Sequence, residues 1–357
     1  MSAAEPAAVA GRRARLAGRI GDLDALLVTT PANVRYLTGF TGSAGSLLLS
    51  GGGAVLRTDG RYAERARGEV GDLEVVLDRS DAWLVERLGA GTRLGVEEHT
   101  LPWGRVLALA EALPAVEVTP AGRPVEALRR RKDPGELAAI SRACALTAEV
   151  LPAVLKGLSP GVSEAEVARR IADGLAEAGA DGLAFPTIVA SGPAGAEPHH
   201  EPGARTIAAG DLVTVDAGAR VEGYAADMTR TVAVGEPCPR LVALYEAVRA
   251  AHADGLAAVA PGVAAGAVAE ACEARLAAAG LAEAIAHPAG HGLGLEVHEP
   301  PILRRGEAAT LDAGMAVAVE PGAYVAGLGG VRIEDTVAVT DDGARVLTAA
   351  PTELIVC

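Results

Sequence analysis

The chain has 357 residues, half of them hydrophobic but only 3% aromatic, and a formal net charge of −14. That length allows two domains, with an ample core built mostly from Ala, Val and Leu. The acidic balance argues against a broad nucleic-acid surface or an anionic membrane partner, both of which need clustered Lys and Arg. Cys144, Cys238, Cys272 and Cys357 form no CxxC, a usage that suits neither a zinc site nor a disulfide framework and fits a reducing cytosol. Arg12-Arg13 has the form of a twin-arginine signal, but Arg15, Arg19, Asp22 and Asp24 interrupt any apolar core behind it. No apolar run approaches membrane-spanning length, so the expectation is a cytoplasmic protein.

Helical composition over residues 3–19 is followed by the apolar run Ala25–Thr30. Strand-like runs then occur at Gly45–Leu49, Ala54–Thr58, Leu73–Leu77, Arg93–Glu97 and Val116–Thr119. Between them lie helix-like stretches at Tyr62–Arg67, Ala82–Leu88 and Trp103–Leu113. Such alternation predicts an α/β domain on one sheet over residues 1–122. Asn33–Gly45 ends in a glycine-rich loop without a following Lys-Ser/Thr, which favours an ordinary connection over a phosphate site. Residues 123–135, with Arg129-Arg130-Arg131-Lys132, read as a basic, solvated connector.

The second domain is expected over 136–357. Asp133-Pro134-Gly135-Glu136 and Ser163-Glu164-Ala165-Glu166 are capping boxes that open helices, the first running to about Val154 with Pro152 kinking its end. Two more helices are predicted at 241–258 and 264–279. Strands are predicted at 185–190, 212–217, 226–234, 315–320 and 331–339, so the domain is α+β.

Leu212–Val215 and Met228–Val234 flank Val221-Glu222-Gly223, which predicts a β-hairpin. A turn centred between Val221 and Glu222 sets Asp216 directly opposite Asp227, where like charges repel unless a cation lies between them. Two solvated aspartates at the hairpin end are the other reading of this stretch alone. Downstream, His287, His291 and His298 fall within twelve Gly/Pro-rich residues of a chain with seven histidines. Glu320 ends an apolar strand, where burial of an acid is costly unless it is paired or metal-bound. Glu334 shares a strand face with Arg332, opposite Val331, Ile333, Asp335 and Val337, which also allows a plain Arg332–Glu334 ion pair. Taken together, Asp216, Asp227, Glu320 and Glu334 with His291 balance two divalent cations. An oxygen-rich set with one nitrogen suits Mn²⁺, or Co²⁺ or Zn²⁺. Two such ions activate water near neutral pH, which is hydrolytic chemistry.

The order Asp216, Asp227, His291, Glu320, Glu334 resembles the pita-bread metallopeptidases, in particular the aminopeptidase P and prolidase branch. The resemblance spans nearly the whole chain. It includes Asn33–Gly45, Thr58–Tyr62, Lys132–Glu136, Gly223–Thr231, the 291–301 segment, Glu320-Pro321-Gly322 and Thr352–Ile355. The fold it implies is a creatinase-like N-terminal α/β domain followed by a pita-bread catalytic domain. It implies that Asp216 and Asp227 bind one metal, His291 and Glu320 the other, and that Asp227 and Glu334 bridge them. Glu320 is then also the general base. His199 and His298 contact the reacting group, Arg332 serves the proline-carboxylate end, and Tyr224 supports Asp227 on the substrate-binding side. His200 is read as a surface loop histidine. Two departures stand out: His287-Pro288-Ala289-Gly290-His291 replaces a His-Gly-x-x-His run, which puts the role of His287 in question, and Glu197 precedes Pro198.

The resemblance therefore implies a dinuclear Xaa-Pro aminopeptidase acting on proline-containing peptides. It also implies a homodimer in which the N-terminal domain lies near the partner's active site. An Xaa-Pro dipeptidase is the alternative within the family, and a non-catalytic pita-bread binding protein the alternative from another class. Methionine aminopeptidase shares the ligands but leaves the N-terminal domain and Arg332 unexplained, and a creatinase-like hydrolase lacks metals.

Overall fold

The computed structural model describes residues 6–357, and the chain divides into two compact units, Met1–Arg129 and Arg130–Cys357. The first contains α1 (Pro6–Ala17), β1 (Ala25–Val28), α2 (Pro31–Thr38), β2 (Gly45–Ser50), β3 (Gly53–Thr58), α3 (Ala63–Glu69), β4 (Glu74–Leu77), α4 (Ala82–Val85), β5 (Arg93–Val96), α5 (Trp103–Ala112), β6 (Glu117–Pro120) and α6 (Pro124–Arg129). Its strands form one six-stranded sheet in the order β4-β3-β2-β1-β5-β6. The pairs β1–β2 and β2–β3 are antiparallel and the remainder parallel. Leu27, Leu48, Leu94 and Val96 of the sheet pack with Trp83, Leu84 and Leu109 of the helices.

The stretch ahead of the glycine-rich loop, to which the sequence reading gave no element, is a helix. Pro31 at the first turn presets φ for α2, and Gly39, with φ 77°, ends it in the left-handed region. Arg12 and Arg13 are buried against that helix. Arg12 donates to Tyr36 O and lies 4.5 Å from the Tyr36 ring centroid, while Arg13 donates to Leu37 O. The twin-arginine pattern thus belongs to the packing of α1 on α2.

The second unit contains α7 (Pro134–Leu155), α8 (Glu164–Glu177), β7 (Gly182–Leu183), β8 (Ile188–Ser191), β9 (Asp211–Ala217), β10 (Ala219–Val221), β11 (Tyr224–Ala225) and β12 (Met228–Val234). It continues with α9 (Pro239–Ala258), α10 (Ala265–Ala278), β13 (Gly290–Gly292), β14 (Glu299–Ile302), β15 (Ala316–Val319), β16 (Gly322–Val325), β17 (Gly329–Arg332), β18 (Asp335–Thr340) and β19 (Gly343–Val346). Four antiparallel sheets result: β11-β10-β7, β12-β9-β8, β14-β13-β15-β18-β19 and β16-β17. Helices α7 and α8 pack on the earlier strands, and α9 and α10 on the later ones. Val317, Val319, Val337 and Val339 meet Val268, Ala269 and Cys272 of α10, whereas Val331 and Ile333 meet Leu244, Tyr245 and Val248 of α9. Burying these faces leaves the opposite faces, with their acids, turned toward one cavity.

Four expectations need correction. The hairpin turn lies at Glu222-Gly223, both with positive φ (51° and 84°), the backbone of a primed two-residue turn. Register therefore pairs Asp216 with Thr229, two residues beyond the predicted partner, and Asp227 follows diagonally on the same face. The strand expected over 331–339 is broken at Ile333-Glu334, because β17 pairs with β16 while β18 pairs with β15. The basic connector is not uniformly solvated: Arg129, at 2% exposure, donates to Asn33 Oδ1, and Lys132 is buried. Finally, α7 is long and apolar enough by length and composition to cross a membrane, with a mean hydropathy of 1.5. Its Ile140, Cys144, Thr147 and Leu151 are buried within the second unit, as the core helix of a folded domain requires.

The first capping box closes in both directions, Glu136 N to Asp133 Oδ1 and Asp133 N to Glu136 Oε2. In the second, Ser163 caps Glu166 N, but the Glu166 carboxylate turns to Arg169 and Arg170 instead.

Candidate metal centre and catalytic site

A cavity of about 560 Å³ opens in the second unit, and eight of the nine residues expected at the site line it: His199, Asp216, Asp227, His291, His298, Glu320, Arg332 and Glu334. Asp216 comes from β9 and Asp227 from the end of the hairpin before β12. His291 lies on β13, Glu320 directly after β15, and Arg332 and Glu334 at the β17–β18 break. Tyr224 does not line the cavity. Its hydroxyl donates to Glu136 Oε1 at 3.1 Å, so it braces the hairpin against the start of α7.

Ligand atoms of Asp227, His291 and Glu334 lie within 4.8 Å of one another, and all three residues are buried. A carbonyl only accepts, so His291 Nδ1, 3.0 Å from Gly292 O, carries the ring proton. The Nε2 lone pair then faces Glu320 Oε1 at 3.4 Å and Asp227 Oδ2 at 3.6 Å. Such a meeting of lone pairs and negative charge is repulsive without a proton or cation between them. Asp216 Oδ1 and Glu334 Oε1 are buried with no hydrogen-bond partner among the described residues. Orphaned oxygens of this kind are costly in a protein interior. The donor set thus fits a divalent cation.

The electrostatics agree. Burial first, and then the neighbouring Glu334, Asp216 and Glu320 charges, raise the Asp227 carboxyl well above its ordinary range. Glu334 is raised well above its ordinary range by burial and by Asp216 and Glu320. Burial pushes Glu320 up to about 8, against the opposing pull of Arg332. The same burial, with His298 nearby, drives His291 down to about 4 and keeps its imidazole neutral and ready to ligate.

Arg332 does not pair with Glu334, as one reading of its strand face allowed. One guanidinium nitrogen donates to Asp216 Oδ2 at 2.7 Å and another to Tyr324 Oη at 2.7 Å. His287 Nδ1 lies 2.7 Å from Pro288 O, which fixes its proton there, so Nε2 accepts from the Tyr324 hydroxyl at 2.7 Å. His287 therefore acts as an acceptor at the end of a chain that orients Arg332. Burial, with the Arg332 charge, drives its pKa down to about 4. Glu334 Oε2 accepts from Thr229 Oγ1 at 2.7 Å, while Thr336 Oγ1 donates to Asp227 O at 2.8 Å. Rings of His291 and His298 meet edge to face, with centroids 4.3 Å apart.

His200 is not a free surface histidine. Its Nε2 lies 2.9 Å from Glu164 Oε2, and Glu164 is fully buried at the first residue of α8. Glu164 also accepts from Ser191 N and Oγ, so it ties both ends of the segment that carries the exposed His199. Sequence reasoning missed Tyr324, Thr229 and Glu164 as supports of the site. A tyrosine four residues after Glu320, in a chain with only five, was the available signal for the first. Glu164 was legible only as a helix start.

Residues 138–341 match the model of metallopeptidase family M24, and residues 12–131 match that of the creatinase/prolidase N-terminal domain. The "Uncharacterized peptidase YqhT" of Bacillus subtilis is 39% identical over 96% of this chain and 98% of its own length. Among solved structures, an "Xaa-Pro dipeptidase from Bacillus anthracis" superposes with a TM-score of 0.94 at 36% identity, covering 98% of this chain and 100% of that one. An X-Pro aminopeptidase from Thermotoga maritima superposes with a TM-score of 0.89 at 30% identity, covering 97% and 99%.

Proposed function

We propose that this chain, which belongs to metallopeptidase family M24 and is a metallo-exopeptidase, hydrolyses the peptide bond preceding proline, with Xaa-Pro dipeptides as its substrates. The observation that carries the reading is the cluster of four carboxylates and one neutral imidazole, with orphaned oxygens, at the wall of a cavity that also holds Arg332, His199 and His298. Asp216 and Asp227 would hold one divalent cation, and His291 and Glu320 a second, with Asp227 and Glu334 shared. Mn²⁺ suits the oxygen-rich set, with Co²⁺ or Zn²⁺ as alternatives. When bound, the pair supplies Lewis acidity toward the scissile carbonyl and a water acidic enough to attack near neutral pH.

The remaining chemistry falls to the chain's own side chains. An Xaa-Pro bond is a tertiary amide that offers no N–H for recognition, and like any amide nitrogen its proline nitrogen leaves only once protonated. Glu320, as a carboxylate lining the cavity, would accept a proton from the attacking water and deliver it to the proline nitrogen. His199 and His298, which both line the cavity, would donate to the oxygen on which charge develops. Arg332, held by Asp216 and Tyr324, offers a buried positive charge to the free carboxylate of a dipeptide.

Dipeptidase names among the relatives support the dipeptide as substrate. A second reading, the Xaa-Pro aminopeptidase that accepts longer peptides, is favoured by the similarity to the Thermotoga maritima enzyme. Hydrolysis of an Xaa-Pro dipeptide beside an Xaa-Pro-Xaa tripeptide, after chelation and again with Mn²⁺, Co²⁺ or Zn²⁺ restored, tests both. Metal-dependent cleavage of the dipeptide alone supports the proposal, and cleavage of the tripeptide moves it to the second reading. No cleavage with any metal overturns both.

A further inference from the structure

The Lys132 side chain is 1% exposed, and its ammonium lies 3.1 Å from Glu299 Oε2, on a side chain only 4% exposed. Burying such a pair strips two charges of water, and apolar residues of similar volume are often at least as stable. Stability alone therefore gives little reason for the pair. Geometry gives one. Glu299 opens β14 and directly follows His298. Its second carboxylate oxygen accepts from Glu296 N at 3.2 Å, within the turn that carries His298. A Cβ on Gly294 would come within 2.7 Å of that oxygen, so the carboxylate is folded inside the 293–299 turn and glycine is what leaves it room.

Lys132 is itself held in place. Its backbone N–H donates to Gly314 O at 2.8 Å, and the capping box of α7 begins at the next residue. The same helix start braces the other side of the site, because Glu136 accepts from the Tyr224 hydroxyl three residues before Asp227. Ala225 N in turn donates to Gly294 O at 2.8 Å and links the hairpin to the His298 turn. An apolar contact could fill the space of the Lys132–Glu299 pair, but it could not direct one carboxylate oxygen outward to an ammonium and the other inward to Glu296 N–H.

We propose that Lys132 is a positioning residue: through Glu299 it fixes the turn that presents His298 to the cavity. The inference rests on the proposed function for the part His298 plays with substrate.

The test compares K132M, E299Q, H298A and the doubles K132M/H298A and K132M/E299Q on the metal-loaded full chain. A displacement of the order of 1 Å at a reacting group costs on the order of 100-fold. K132M is therefore expected to lower kcat by on the order of 100-fold with KM little changed, and K132M/H298A to be no slower than H298A. K132M/E299Q is expected to recover melting temperature but not kcat, since the buried negative charge that lost its ammonium is gone while the tie between the turn and Lys132 stays broken. Losses that multiply in K132M/H298A, or kcat that returns together with melting temperature, overturn the proposal. Should K132M not fold, E299Q carries the test: it keeps size and shape, and wild-type kcat in folded E299Q refutes the idea. A wild-type chain that cleaves no Xaa-Pro bond defeats the proposed function but leaves this inference open to another readout. The His298 ring resonances of ¹⁵N-labelled protein are then expected to shift in K132M and to stay put in R131Q, whose Arg131 is exposed. Unshifted His298 resonances in K132M refute it.

Discussion

A cation entering the site has to displace protons. Glu320, pushed up to about 8 by burial, is roughly nine-tenths protonated at pH 7 and so contributes about 0.9 proton. Asp227 and Glu334 are each raised well above their ordinary values by burial and by their neighbouring carboxylates, and add to that number. His291, driven down to about 4, is already neutral and adds none. Saturating metal-stripped protein at pH 7 is therefore expected to release between about 1 and 3 protons per chain. Calorimetric titration of Mn²⁺ in buffers of differing ionisation enthalpy at one pH reads the number directly. The apparent affinity is expected to rise about tenfold per pH unit for each proton released, up to about pH 8. Folding follows the same linkage. A carboxyl raised from 4.5 to about 8 favours the folded state below its unfolded value, and that contribution is lost as pH climbs through 8. Stripped protein should then melt lower at pH 9 than at pH 6. At a hundredfold excess over Kd, metal adds about 2.7 kcal/mol, roughly 5–11 °C for a unit of this size. Release of less than about half a proton, or proton uptake, would refute the crowded-carboxylate picture.

Asp227→Asn is expected to abolish Xaa-Pro hydrolysis while leaving the fold largely intact; wild-type turnover in metal-replete buffer contradicts the site assignment. Asp335 is 2% exposed and accepts from Arg230 at 2.8 Å, with His252 Nε2 3.2 Å away but outside hydrogen-bond geometry. Asp335→Asn removes the counter-charge of the buried guanidinium at a cost of about 3 kcal/mol, the low end of the range because Arg230 keeps its bonds to Glu334 O, Ala350 O and Pro351 O. Thermal melts should show a fall of roughly 6–12 °C, and a loss below about 1 kcal/mol counts against it. The His200 pKa is raised: burial opposes the charged form, but the bonds to Glu164 and Glu197 outweigh it. Its contribution to stability is complete below its unfolded value near 6.5 and lost as pH rises through the folded value. His200→Gln should accordingly lower the melting temperature at pH 5.5 but hardly at pH 9, and an equal loss at both would argue for shape rather than charge.

Why the proposed ligands were legible and their supports were not follows from what a linear pattern records. Each expected ligand sits at the edge of an element that the sequence marks locally: a β-branched run, a glycine-rich turn, a strand end. Alternation along 331–337 reported correctly that Val331 and Ile333 face the core of α9 and that Arg332 and Glu334 face away from it. Alternation says nothing about which buried partners meet. Arg332 passes over Glu334, two residues along, and takes Asp216, 116 residues earlier, because packing of the β16-β17 sheet on the β12-β9-β8 sheet brings β9 beside β17. The hairpin register failed for a related reason: a positive φ at Glu222, uncommon in a residue with a side chain, leaves no local mark beyond the glycine that follows it. Lys132 is the sharpest case. Within an Arg-Arg-Arg-Lys run its type predicts solvation, and the counter-charge of Glu299, brought in from 167 residues away, makes its burial tolerable. Composition therefore finds the groups suited to a cation, because excess like charge is visible in one dimension. The groups that aim them depend on contacts between distant segments, and those contacts exist only once the chain has folded.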